Sequence, residues 1–322
     1  EVAALYDGEL SKLREEQPDR FVELGLRLSQ IFETQLEDVD SAIHRYRLVL
    51  EVDPENWQAM SSLDRLLVMT ERWSDLVTVL AREADIGQTP DDILTFKFRL
   101  GQVHQQHLKD LPAAINSYRE VLAAAPEHEP TLEALEGLFA QGLHQLEIGE
   151  IVEPLYQASG DWEKLASVLE AVLAQTKERD DRLAMYYRIA ELQEERLIAL
   201  EGALEVYIRA LKEYPTDEKT LEECERLAET VDGGWEALAN AYADVLELHN
   251  DKAVQASIGK RLARVFEESL GDIANAEKTY RYVLGVEALD VDALAQLDRI
   301  YSSLEQYPEL AQVLEQRLLA TK

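Results

Sequence analysis

Few residues in this chain are of the types that do chemistry at a fixed spacing. His104 and His107 stand at i, i+3, which on a helix puts two imidazoles on one face and could begin a metal site. No His, Cys or acidic residue lies at a spacing that completes a zinc set, and His104 falls on a core position of the repeat described below. Packing and surface, rather than metal, are expected for this pair. Cys224 is the single cysteine, so no intramolecular disulfide can form. It takes the place of a leucine found in sister segments (Leu63 and Leu297) and has no adjacent His, so a buried thiol filling a small volume is expected rather than a nucleophile. Asp and Glu number 64, too many for any one pair to be specific as an acid–base couple. There is no Gly-rich phosphate loop, Walker motif, nucleophile elbow or zincin motif. No catalytic residue, cofactor or metal is expected.

The net charge of −32 narrows the partners. Phosphate binding needs Lys and Arg to displace counterions, so duplex nucleic acid is disfavoured, and so is an anionic membrane surface. Because the acidic excess is spread along the chain, its first effect is solubility by self-repulsion; its functional counterpart would be a basic partner. No run of about 18 apolar residues exists, and with one cysteine a cytoplasmic location is expected. With 46% hydrophobic residues there is ample material for a continuous core. Only 14 Gly and 9 Pro interrupt it, with Pro54, Pro126 and Pro215 at helix-boundary positions, and so the chain reads as all-α.

What must position any functional residue is a repeat. "SAIHRYRLVLEVDPEN" (41–56) returns as "AAINSYREVLAAAPEH" (113–128), "GALEVYIRALKEYPTD" (202–217) and "NAEKTYRYVLGVEALD" (275–290). Tyr46, Tyr118, Tyr207 and Tyr280 step by 72, 89 and 73 residues; Trp73, Trp162, Trp235 and Tyr307 step by 89, 73 and 72. Two markers thus agree on a period of about 73, with extra residues inserted once near 137–160. That insertion reads as a truncated helix, then an extra helix carrying Val152, Leu155 and Tyr156. Pro154 inside it predicts a kink or a late helix start.

Each period divides into two helix pairs. The first helix of the first pair carries an apolar stripe: Leu28, Ile31, Phe32; Leu100, Val103, His104; Ile189, Leu192, Gln193; Leu262, Val265, Phe266. Beside it Ser29, Gly101, Ala190 or Ala263 is small enough to let a neighbouring helix approach. In the following helix Ala42, Ala114, Ala203 or Ala276 opens the packed face, and an apolar pair (Val49–Leu50, Val121–Leu122, Ala210–Leu211, Val283–Leu284) closes it. The Trp and Tyr markers are expected in the core. The second pairs, such as "MSSLDRLLVMTERWSDLVTVL" (60–80), are more divergent.

This small–aromatic–small–proline spacing resembles the tetratricopeptide repeat, a helix–turn–helix unit of about 34 residues. The leading Trp of that motif is missing, and the turn inside the first pair is one residue longer. "YRIAELQEERLIALEGALEVYIRALKEYP" (187–215) is the clearest copy. The resemblance implies one right-handed α-α superhelix over 1–322, about eighteen helices in antiparallel pairs, with periods of about 20–90, 91–180, 181–251 and 252–322. Residues 1–19 read as the end of a preceding repeat helix, within a chain cut from a longer protein or renumbered.

In tetratricopeptide solenoids the first helix of each pair lines a groove where peptides or partner helices dock. By register that groove takes Gln30, Glu33, Gln102, Gln105 and Gln106 in the first half, neutral and amide-rich. In the second half it takes Glu191, Glu194, Glu195, Glu267 and Glu268, with Lys260 and Arg264. The implied function is a non-enzymatic scaffold presenting a partly acidic groove to a basic or amphipathic protein or peptide. A structural spacer within a giant repeat protein, or a non-catalytic helical region of an enzyme, are the other readings.

Overall fold

The computed structural model describes residues 13–320, and there the chain is helical without strands. The opening segment expected to end a preceding helix lies mostly outside these residues; 13–16 are helical. Seventeen α-helices follow between Pro18 and Ala320. The first period holds α1 (Pro18–Thr34), α2 (Val39–Val52), α3 (Trp57–Met69) and α4 (Trp73–Ile86). The second holds α5 (Pro90–Val103), α6 (Leu111–Ala124), α7 (Glu129–Ala140), α8 (Gln145–Ser159) and α9 (Trp162–Gln175). The third holds α10 (Arg179–Glu195), α11 (Leu200–Glu213), α12 (Glu218–Thr230) and α13 (Gly234–Leu248). The fourth holds α14 (Lys252–Arg264), α15 (Ile273–Val286), α16 (Val291–Ser303) and α17 (Tyr307–Ala320). Consecutive helices joined by such short connections pack antiparallel, the only way a two- to five-residue link lets both bury an apolar stripe.

The helices group into two compact units, 1–152 and 153–322, divided within α8. The insertion is the one extra helix of the second period, and α8 begins at Gln145. Pro154 therefore lies inside the helix, so the late start allowed by the sequence does not occur; the ring removes the N–H that would bond the Glu150 carbonyl.

Helix ends repeat as faithfully as helix faces. Asp38, Asp110 and Asp272 each cap the second helix of a first pair, accepting from the N–H of Ser41, Ala113 and Asn275. Asn56, Asp217 and Asp290 do the same for α3, α12 and α16. Inside the first pairs one residue is left-handed at the same register: Glu37 (φ 52°), Lys109 (58°), Ile198 (54°) and Gly271 (66°). The chain there closes with bonds spanning six residues, Asp38 N–H to the Phe32 carbonyl, Asp110 to His104, Ala199 to Gln193 and Asp272 to Phe266. In two copies the last turn widens into a π-helix, at His104–Leu108 and Val265–Ser269. Three of the second pairs turn over five residues, Arg72 to Leu67, Asp161 to Tyr156 and Gln306 to Tyr301. This is the extra residue inferred from sequence, now with its hydrogen bonds.

The repeated tyrosines are core. Tyr46, Tyr118, Tyr207 and Tyr280 are all buried, and an added Cβ on Gly101 would meet the Tyr118 ring at 2.4 Å. Glycine at 101 is thus a steric requirement of the Tyr118 ring. The second marker differs from expectation. Trp73, Trp162 and Trp235 are half-buried, and Tyr307 is 66% exposed. Each opens a helix, so its ring lies at the edge of the stack rather than between helices. Trp73 is stacked against His107 at 3.6 Å, and Trp162 lies under the Arg196 guanidinium at 5.0 Å.

Candidate functional site

The residues assigned to a groove by register fall into two rows. Glu33, Gln105, Glu194 and Glu267 occupy one equivalent position and are half-buried. Glu33 pairs with Arg65 at 2.5 Å, Glu194 with Arg226 at 2.6 Å and Glu267 with Arg299. Gln105 instead accepts from the Tyr118 hydroxyl at 2.6 Å, and Gly137 stands where the arginine would be. Acid and arginine are absent together, so neither is left without its partner. Tyr46 and Tyr280 donate to Glu33 and Glu267 at 3.4 and 3.3 Å, joining the core tyrosine to this pair. Burial with these neighbours raises the phenols, Tyr118 and Tyr280 to about 12, so they stay protonated donors.

A second rung continues the first. Asp64 takes Arg99 in a two-pronged bond at 2.6 and 2.8 Å, Glu153 takes Arg188 at 2.5 Å, and Glu225 takes Arg261 at 2.8 Å. The acid–arginine dipeptides Asp64–Arg65 and Glu225–Arg226 therefore reach one way with the carboxylate and the other with the guanidinium. Each rung ties the first helix of one pair to the first helix of the next, within each unit. Bidentate arginine geometry favours this use over lysine.

The other row faces solvent. Gln30, Gln106, Glu191, Glu195, Arg264 and Glu268 are exposed, and Gln102 is half-buried. Lys260 turns into the stack, pairing with Asp290 at 2.9 Å and Asp292 at 3.4 Å, and these bonds raise its ammonium further. Unit 1 thus displays amides at this register, and unit 2 carboxylates with Arg264. Glu195 carries no ion pair among the described residues, while Glu191 lies 3.8 Å from Lys219.

In unit 2 this row borders a cleft of about 360 Å³. Trp162, Leu165 and Leu169 of α9 and Leu192 of α10 give it an apolar floor; Gln157, Arg188, Glu191, Glu195 and Arg196 form the polar rim. Arg188 is held by Glu153, and Arg196 covers the Trp162 ring. Sequence register named Glu191 and Glu195 but not Trp162 or Arg196. Their contact spans 34 positions and depends on the tilt of α9 against the end of α10.

Of the remaining chemistry-bearing residues, Cys224 is buried, His104 half-buried and His107 exposed. Cys224 is fully buried, and burial among Glu225 and Glu223 pushes its thiol far up, so it is neither thiolate nor accessible. His107 is stacked on Trp73, and His104 opens a π-turn. No group of three metal-capable side chains gathers among the described residues.

The model of the tetratricopeptide repeat matches residues 155–183 and 293–322. Joined to the repeated pairs, caps and turns above, this decides the class. The chain is a tetratricopeptide-like helical repeat protein. Both matched segments contain second pairs with the tighter five-residue turn, rather than 187–215, whose wider turn departs from the standard spacing. The protein is similar to the P58(IPK) tetratricopeptide domain (18% identity, 92% of each chain, TM-score 0.25). It is similar also to the TPR2AB domain of yeast Sti1 solved with a pHSP90 segment (14%, 82% of this chain and 99% of that one, 0.29). Among curated proteins nothing matches its sequence. No described helix is long and apolar enough to cross a membrane.

Proposed function

We propose that this tetratricopeptide-like protein is a binding scaffold for another protein, acting through the exposed polar row of its first helices rather than by catalysis. One observation carries this reading. The stack uses one row of acids (Glu33, Glu194, Glu267) internally, and at the neighbouring register leaves Glu191, Glu195 and Glu268 exposed. Carboxylates not needed by the fold are available to a ligand, and the net charge of −32 steers a basic or amphipathic segment toward them. Nucleic acid and anionic membranes are repelled by the same field, and a cytoplasmic partner is the natural one for a chain with a single buried thiol. Rigid display is the mechanism: the ladder fixes the helices, and a few exposed side chains select.

Affinity capture tests this with the charge-reversed Glu191→Lys/Glu195→Lys/Glu268→Lys protein beside the wild type. Glu194 is left untouched because its reversal would break the pair with Arg226. Partners identified with the wild type should be lost or strongly reduced. If every captured protein stays bound to the reversed form, the acidic row is not the binding surface.

A further inference from the structure

We infer that the cleft between α9 and α10 is a receptor for one lysine or arginine side chain of a protein partner, and that Arg196 is its resident stand-in. The inference rests on the scaffold reading above and names the contact through which it would work.

The argument begins with the same register elsewhere. At Trp73 the equivalent ring is capped face-to-face by His107, 3.6 Å away and inclined by only 12°. At Trp162 the residue equivalent to His107 is Arg196, whose guanidinium sits 5.0 Å from the ring centre. A guanidinium on a flexible stem covers the ring without sealing the space beside it, and about 360 Å³ remains.

The walls select the occupant. The indole face attracts a cation, and the site already holds one there. Glu191 and Glu195 stand one turn apart on the rim, Glu195 unpaired among the described residues and Glu191 only loosely engaged. Leu165, Leu169 and Leu192 form an apolar floor suited to a methylene stem. A free anion has no unclaimed arginine here, because Arg188 is already held by Glu153 at 2.5 Å and Arg196 by the ring. A chain of methylenes ending in a positive charge satisfies all three walls: stem on the leucines, head between the carboxylates, edge over Trp162. The incoming cation displaces Arg196 into solvent, so Arg196 competes with the ligand.

The probe is a short fluorescein-labelled amphipathic Lys/Leu peptide, with the same peptide fully lysine-acetylated as its neutral twin. Binding is read by anisotropy at moderate salt, and occupancy of the cleft by the change in Trp162 emission, obtained by difference from a Trp162→Leu protein. The wild type should bind the lysine peptide and not the acetylated one. Glu191→Gln/Glu195→Gln should weaken binding at least tenfold, whereas Glu201→Gln/Glu205→Gln, which removes two exposed charges on α11, should change it less than twofold. Arg196→Gln should tighten binding severalfold by removing the competitor. Equal losses in the two double variants, or weaker binding in Arg196→Gln, would overturn the cleft assignment, as would binding that leaves Trp162 emission unchanged. If the cleft fails while Glu191→Lys/Glu195→Lys/Glu268→Lys still releases captured partners, the scaffold reading stands without it. If neither responds, both fall.

Discussion

Glu83 is the least comfortable side chain in unit 1, and replacing it should stabilise the protein in a pH-dependent way. Its carboxyl is 1% exposed, and Oε2 has no hydrogen-bond partner. Val172 and Val245 occupy the same register in the next two periods, where the position is apolar, half-buried at Val172 and buried at Val245. Burial, then repulsion from Asp64, lifts the Glu83 carboxyl from 4.5 to about 7, against the attraction of Arg99. The folded protein therefore holds a proton that the unfolded chain has released between about pH 4.5 and 7. Stability tied to this group is complete below pH 4.5 and is lost as pH rises through 7. At about 1.4 kcal/mol per tenfold change in proton affinity, the loss is about 3 kcal/mol above pH 7. Glu83→Gln keeps the shape and removes the titration. Urea unfolding of both proteins, read through α4 amide exchange so that partial opening of the stack is not averaged away, should show little difference at pH 4.5. At pH 8 the variant should be more stable by about 2 to 3 kcal/mol. Comparison with the variant also cancels the carboxylates held low by hydrogen bonds and arginines, such as Asp75 and Glu213, which weaken both proteins alike in acid. A difference that is constant with pH, or that favours the wild type at pH 8, would refute the assignment of a protonated buried Glu83.

Arg99→Met should destabilise unit 1 by about 1 to 3 kcal/mol, because it leaves Asp64 and Glu83 facing each other without their shared cation; the pH dependence of stability should steepen. Ile198→Gly should stabilise unit 2 by about 1 kcal/mol in thermal melts, since a β-branched residue sits at φ 54° where the equivalent position is Gly271, and Ile198 is 80% exposed and loses no packing. A double-mutant cycle on Glu194 and Arg226 should give a coupling of about 0.5 to 1 kcal/mol that shrinks in high salt, as both side chains remain partly solvated. Cys224 should resist a thiol reagent in the native protein and react only at the rate of local opening, measured by mass shift across a urea series.

Much of the architecture is legible in the chain alone because helices, caps and core positions are set by neighbours within a turn or two. The period, Tyr46 and its three counterparts, and the small residues at Ser29, Gly101, Ala190 and Ala263 all follow from local spacing. So does the extra residue in the first-pair turn. Which acids serve the fold and which serve a ligand does not follow from local spacing. Glu194 and Glu195 are adjacent and chemically identical, yet one is fixed by an arginine 32 residues away and the other faces solvent. That division depends on helix rotation and on a partner from the next pair, which only tertiary packing supplies. The same packing set the Trp rings at the edge of the stack, placed Arg196 over Trp162 where His107 stacks on Trp73, and buried Glu83 where the next two periods hold valine.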